Sequence, residues 1–237
     1  KKFHYLDCSL STNRELWHLI NKNKMAGDVI ITEEQTNGRG RRGHHWFSTP
    51  QKSLTFSFSI ILPQTQTTSL LSLIIGLSIV ETINKLIKEK LTLKWPNDIN
   101  YQKKKVGGIL IESKKLKNTL NYYVIGIGLN VNETQKDINQ SISNVATSLK
   151  LISGQTLNRE IIISTILLTF EEYLNNMNQK HIISNWMKHC AHKNKMINFH
   201  HNNKIVNGCF QGLNNNGSAQ IIIKNELYTF HNGWIES

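Results

Sequence analysis

Acidic residues are scarce in this chain: 16 Asp and Glu stand against 28 Lys and Arg over 237 residues, a formal charge of +12 at pH 7. That balance disfavours basic partners and points to an acidic one: nucleic acid, an acidic protein or nucleotide phosphates. The chain is also rich in Asn, Ile and Lys together, so part of the excess is compositional drift of an AT-rich coding sequence. Cysteine is scarce as well. Cys8, Cys190 and Cys209 are far apart and odd in number, which excludes a disulfide framework and implies a reducing, cytoplasmic setting. Cys190 and His192 form a C-x-H pair with no second pair at metal spacing, so a structural role is expected. Long apolar runs are missing. The best, LLSLIIGLSIVETINKLI, is interrupted by Ser, Thr, Glu and Asn, and neither a membrane span nor a signal peptide is expected. No GxxxxGK[ST] occurs, which excludes a P-loop nucleotidase.

What is present is most concentrated between Gln35 and Gly43, QTNGRGRRG. Gly38, Gly40 and Gly43 alternate with Arg39, Arg41 and Arg42. Glycine lets backbone N–H groups approach a ligand, and guanidinium offers a planar fork for carboxylate and phosphate. Three like charges without a local acid repel one another, so a mobile lid that orders around a polyanion is expected; in isolation such a run is a solvated basic turn. The flanks VIITEE and SLTFSFSIIL both read as strands, which sets the loop at a sheet edge.

Elsewhere Thr12 and Glu15 have capping-box spacing before ELWHLI, and Leu70 to Ile87 carries helical spacing and reads as the longest core helix. LTLKW, VGGILIES and NYYVIGIGLNV read as strands, the last two nearly continuously apolar and so buried on both faces. Helices are expected at about 158–174 and 181–189. From Lys193 the pattern becomes short strands with tight turns, NNNG at 214–217 being a hairpin signal. The expected architecture is α+β: a mixed sheet with packed helices over 1–192, and a small C-terminal barrel over 193–237.

Three further segments carry chemistry. KWPNDI presents Asn97 and Asp98 after a strand stopped at Pro96, though Pro-Asn-Asp alone is a good turn. KKKVGGILIE places Lys105 before Gly107 and Gly108, where a ligand could lie on bare backbone, yet a Lys run alone is a solvated hairpin tip. GIGLNVN ends a buried strand with Gly126, Gly128 and Asn130, a pattern that close strand packing also explains.

In this order, GRGRRG, KWPND, the Lys-hydrophobic-Gly-Gly strand and GxGxN, with STN at 11–13, resemble the biotin protein ligases over nearly the whole chain. The resemblance implies a class II synthetase-like catalytic domain with a small SH3-like C-terminal barrel. The implied reaction makes biotinyl-5′-AMP from biotin and ATP and then biotinylates a lysine of the biotin carboxyl carrier protein of acetyl-CoA carboxylase. Attack of a carboxylate on the α-phosphate joins two anions and needs positioned cations. Lys105 is assigned to the biotin carboxylate and the phosphate. Arg39 and Arg41 would close over biotin and the adenylate with Gly38 and Gly40 as close backbone, and Arg42 would reach the ATP phosphates. Mg²⁺ would neutralise pyrophosphate; its ligands are not identified. Ser11, Thr12, Asn13 and Gln35 would bind the ureido head, Gly107 and Gly108 line the pocket, and Asn97, Asn130 and Trp46 contact ATP. Asp98 either takes the proton from the attacking lysine or caps a turn.

Two departures from the family pattern stand out. No arginine follows Gly233, where many members carry one that holds ATP, and no winged helix-turn-helix precedes Lys1, so catalysis without DNA binding is expected. The rival readings are a lipoate-protein ligase, which shares the fold but has a different basic glycine signature, and a basic nucleic-acid-binding module, for which no reading helix or stacking aromatics are visible.

Overall fold

The structure is a computed structural model that describes residues 2–23, 25–64, 68–115 and 120–236. In chain order the elements are β1 (Phe3–Ser9), α1 (Thr12–Asn23), β2 (Val29–Gln35), β3 (Leu54–Pro63), α2 (Thr68–Leu86), β4 (Thr92–Lys94), β5 (Asp98–Tyr101), β6 (Lys104–Lys115) and β7 (Leu120–Leu129). Then follow α3 (Leu149–Ser153), α4 (Arg159–Asn175), α5 (Gln179–Lys188), β8 (Met196–His201), β9 (Lys204–Leu213), β10 (Ala219–Ile223), β11 (Glu226–Phe230) and β12 (Trp234–Ile235). Contacts divide the chain into two compact units, residues 1–68 with 105–159 and residues 69–104 with 160–237.

In the first unit the strands run β1-β2-β3-β7-β6, parallel between β1 and β2 and antiparallel elsewhere. Strand alternation gives this mixed sheet two unlike faces. One carries Phe56, Phe58, Ile109, Ile125 and Ile127, all buried. The other receives α1, whose Leu16 and Ile20 pack with Ile30, Tyr122 and Val124. Beyond that apolar patch the same face is stripped to small residues: Thr55 and Ser57 on β3 lie opposite Gly128 and Gly126 on β7, and Gly108 on β6 pairs with Gly128.

The second unit is built on α2. At 19 residues it is long and apolar enough to cross a membrane by length and composition, but two thirds of its most apolar window is buried inside the protein. Gly76 lets it approach the β4 strand and α5: a Cβ there would stand 3.0 Å from Leu93 Cδ2 and 3.8 Å from Trp186 Nε1. Tyr173 on α4 donates to Glu81 on α2 at 2.7 Å, and Trp95 Nε1 donates to the Gly217 carbonyl at 3.1 Å, tying the β4–β5 hairpin to the terminal strands. Those strands form an antiparallel sheet in the order β11-β10-β9-β8-β12. The described residues give an open sheet where a small barrel is expected. Its edge strands β11 and β12 do not pair among the described residues. The NNNG hairpin is formed as expected, with Asn214 Oδ1 accepting from the backbone of Asn216 and Ser218 at 3.0 Å each.

The first unit is pinned by a partly buried ion pair. Arg159 Nη1 and Nη2 contact Glu33 at 2.8 and 2.9 Å, and Nη1 also donates to the Ser53 carbonyl at 2.8 Å. Tyr5 donates its hydroxyl to the same carboxylate, which raises the phenol to about 12. Hydrogen bonding from Arg159, opposed by burial, lowers the Glu33 carboxyl to about 2.

Arg159→Leu should therefore destabilise the protein by about 2–3 kcal/mol, since it leaves a mostly buried carboxylate without its cation. Glu33 binds its proton less readily folded than unfolded. Its stabilisation is thus complete above the ordinary carboxyl value of 4.5 and is lost as pH falls toward about 2. Urea unfolding between pH 7 and pH 3 should show this loss in the wild type and a shallower loss in the variant.

Candidate functional site

The arginine segment is not an open loop. Gly40 N donates to His44 O at 2.7 Å and Trp46 N to Gly38 O at 3.0 Å, with an Arg39–His45 bridge between them, so residues 38–46 fold back as a hairpin around a 3₁₀ turn at Arg41–Gly43. Gly38 is compulsory there. A Cβ would lie 2.3 Å from Trp46 O and 2.9 Å from Gln35 Nε2. Backbone hydrogen bonds hold the segment in this form, with Arg39 and Arg42 exposed on it. Under the hairpin lies a cleft of about 590 Å³ lined by residues 37–43, His45, Leu110 and Glu112.

Glu112 joins this cleft to a second group of side chains at the start of α1. Its Oε2 accepts from Asn13 Nδ2 at 2.9 Å and from Trp17 Nε1 at 3.0 Å. Ser57 Oγ donates to Asn13 Oδ1 at 2.7 Å and stands 2.6 Å from Thr12 Oγ1, while Gln35 Oε1 accepts from Thr12 N at 2.9 Å. Thr12, Asn13 and Ser57 are buried. The sequence-expected capping box is therefore not made. Ser11 supplies the carbonyl that opens the helix to Glu15 N at 3.1 Å, and the Thr12 hydroxyl is turned into the network instead.

The glycines of β7 make room for these groups. A Cβ on Gly126 would stand 2.4 Å from Asn13 Oδ1, and one on Gly128 would stand 2.3 Å from the Trp46 indole, whose Nε1 is buried without a partner. Gly107 serves packing: its Cβ would meet Leu129 Cδ2 at 2.4 Å. Gly108 shares the open face with Leu110 and Glu112.

Lys105 does not line the cleft. Its backbone is gripped on both sides, N donating to Val145 O at 2.7 Å and O accepting from Thr147 N at 2.9 Å. Asn130 braces the same strap through Nδ2 to Thr147 O at 3.0 Å. Asn97 and Asp98 belong to the second unit. Asp98 opens β5 opposite Lys94, so KWPND is the turn of a β4–β5 hairpin. The structure thus gathers Thr12, Asn13, Gln35, Gly38 and the arginines on one face of the first unit. Glu112 and Ser57 were not singled out from sequence. The signal for Glu112 was its place at i+4 from Gly108, on the same face of a strand.

Cys190 and His192 are structural. His192 packs edge-on against Phe210 at 4.2 Å with its pKa lowered by burial to about 3, and burial raises Cys190 to about 11. Among the described residues no group of three or more His, Cys, Asp or Glu side chains could hold a metal ion.

Comparison with known proteins agrees with this geometry. The family model described as Biotin/lipoate A/B protein ligase matches residues 5–130. The bifunctional ligase/repressor BirA of Bacillus subtilis is 34% identical over 170 residues, 71% of this chain and 52% of that protein. BirA of Escherichia coli is 30% identical over 212 residues, 88% of this chain and 65% of that protein. The chain spans about half to two thirds of the length of these relatives. Among solved structures, biotin protein ligase from Aquifex aeolicus in complex with biotin and ATP superposes with a TM-score of 0.84 at 27% identity, covering 100% of this chain and 98% of that one.

Gly126→Ala should displace the Asn13 amide and cost about 1–3 kcal/mol, as overpacking against an immobile partner does. Gly154→Ala, with open space around its Cβ position but a φ of +73°, is the control for backbone strain alone. Thermal unfolding compares the two, and Trp17 emission should shift only in the first, since only there does the hydrogen-bonded partner of Glu112 move.

Proposed function

Because the chain belongs to the biotin/lipoate A/B protein ligase family, we propose that it is a biotin protein ligase, which activates biotin with ATP to biotinyl-5′-AMP and passes it to a lysine of a biotin carboxyl carrier protein. The observation that carries the reading is the junction of an arginine-lined cleft with a buried cluster of amide and hydroxyl groups on one sheet face. One half suits a polyanion and the other a small, neutral, hydrogen-bonding head. Likeness to a protein solved with biotin and ATP supports it.

In this reading Thr12, Asn13 and Gln35, with Ser11 beside them, hold the ureido ring. The Gly38–Gly43 hairpin covers the acyl phosphate, with Arg39, Arg41 and Arg42 opposing its charge. Gly107 and Gly108 let the ligand lie against β6. Lys105, its backbone fixed by the 145–147 strap, supplies the ammonium that draws the biotin carboxylate onto the α-phosphate. Asn130 has already given Nδ2 to Thr147, so its Oδ1 accepts from the adenine amine, with Trp46 and Asn97 as further nucleotide contacts. Asp98 receives the proton of the attacking lysine. Mg²⁺ would accompany the ATP phosphates and neutralise the leaving pyrophosphate. Residues 1–192 form the catalytic part in this proposal, 193–237 an appended SH3-like module, and the site of action is the cytoplasm.

Pyrophosphate release from ATP should depend on biotin and not on lipoate. Lys105→Ala should lower that rate on the order of a hundredfold while leaving the unfolding curve unchanged. Release that is indifferent to the acid supplied, or a Lys105→Ala enzyme near the wild-type rate, would overturn the reading and the residue assignment respectively.

A further inference from the structure

Hydroxyl protons rotate and amide groups flip, so Thr12, Asn13, Ser57 and Gln35 could in principle each show a ligand either a donor or an acceptor. Glu112 cannot. A carboxylate only accepts, and its Oε2 is met by Asn13 at 2.9 Å and Trp17 at 3.0 Å. Asn13 must therefore face Glu112 with Nδ2, which turns Oδ1 to Ser57 at 2.7 Å and commits the Ser57 proton to it. At the 2.6 Å contact between the Ser57 and Thr12 hydroxyls, the donor is then Thr12. The longer approach of that hydroxyl to Gln35 Oε1, 3.2 Å, yields to it, and Gln35 Oε1 is satisfied by Thr12 N at 2.9 Å. Gln35 Nε2 is left facing Gly38. From Glu112 through Asn13 and Ser57 to the Thr12 hydroxyl every proton has one direction, set by Glu112, while Thr12 N turns Gln35.

We infer that Glu112 is a positioning residue that fixes the Thr12 oxygen as the acceptor of the head-group pocket, beside the donor Gln35 Nε2, whose direction Thr12 N sets. That is the pattern complementary to a cyclic urea, an N–H beside a C=O. The inference rests on the biotin reading and adds to it a residue that acts through Asn13 and Ser57. Glu112 is also the acidic side chain among those lining the arginine cleft, where a carboxylate opposes anion binding. Its value lies in direction rather than charge.

Calorimetric titration of biotin and of ATP into variants of the full chain tests this. Glu112→Met removes the acceptor and should weaken biotin about tenfold or more, without weakening ATP. Glu112→Gln offers Oε1 to the same two donors and should keep biotin affinity within about threefold. Ser57→Ala breaks the chain further along and should match Glu112→Met, the double variant being no worse than the weaker single one. If Glu112→Met fails to fold, Ser57→Ala against Glu112→Gln carries the test, the first losing affinity and the second keeping it. Equal damage from Glu112→Gln and Glu112→Met, additive losses, or unaltered affinity in Ser57→Ala overturns the inference. A wild type that binds no biotin overturns the reading beneath it as well.

Discussion

Bare backbone on one face of β7 is the constraint on which the site depends. Gly126 and Gly128 lie two residues apart and so open the same face. Into the two gaps go the Asn13 amide and the Trp46 indole, each closer than a Cβ would allow. One belongs to the start of α1 and the other closes the arginine hairpin, so two glycines set where the polar and the cationic halves sit relative to each other within the first unit. Side chains on β7 would separate them. The opposite face keeps its large apolar residues, which is why the strand can give up packing on one side without losing the sheet.

Arginine has two unlike roles in the first unit. Arg159 is spent: its guanidinium is shared between both oxygens of Glu33 and the Ser53 carbonyl. The planar fork that suits a phosphate here locks β2 to the start of α4. Arg39 and Arg42, three residues apart on a hairpin tip, are exposed. The backbone bonds of Gly38, Gly40, His44 and Trp46 shape the tip that carries them. A binding site for an anion needs that separation between what fixes the scaffold and what meets the ligand.

Much of this was legible in the residues. Helical spacing marked α2, α4 and α5 to within two residues at each end, the apolar runs marked β6 and β7, and NNNG marked the β9–β10 turn. What failed was local reasoning where a tertiary partner competes. Thr12 and Glu15 have capping-box spacing, but Ser57 and Gln35, dozens of residues away, take the hydroxyl and the amide of Thr12. β1 was missed because its exposed Phe3 and Tyr5 and polar Asp7 carry no strong strand pattern until it pairs with β2. β5 and β12, four and two residues long, are too short for periodicity to register. A count of strands said nothing about closure, and the terminal sheet stays open.

Glu112 shows a different limit. Its i+4 spacing from Gly108 gives the face it shares, but its partners appear only when β6 is set in register beside β7 and the α1 start is laid across both. Lys105 lies at the other end of the same strand, where three stretches remote in sequence meet: β6 itself, the 145–147 strap and Asn130, which holds the strap by its amide. Each end of β6 is thus fixed by hydrogen bonds to segments that are themselves fixed elsewhere. A lysine on a mobile loop would have its backbone as well as its side chain to order on meeting a ligand. Here the strap holds the Lys105 backbone at both its N–H and its carbonyl.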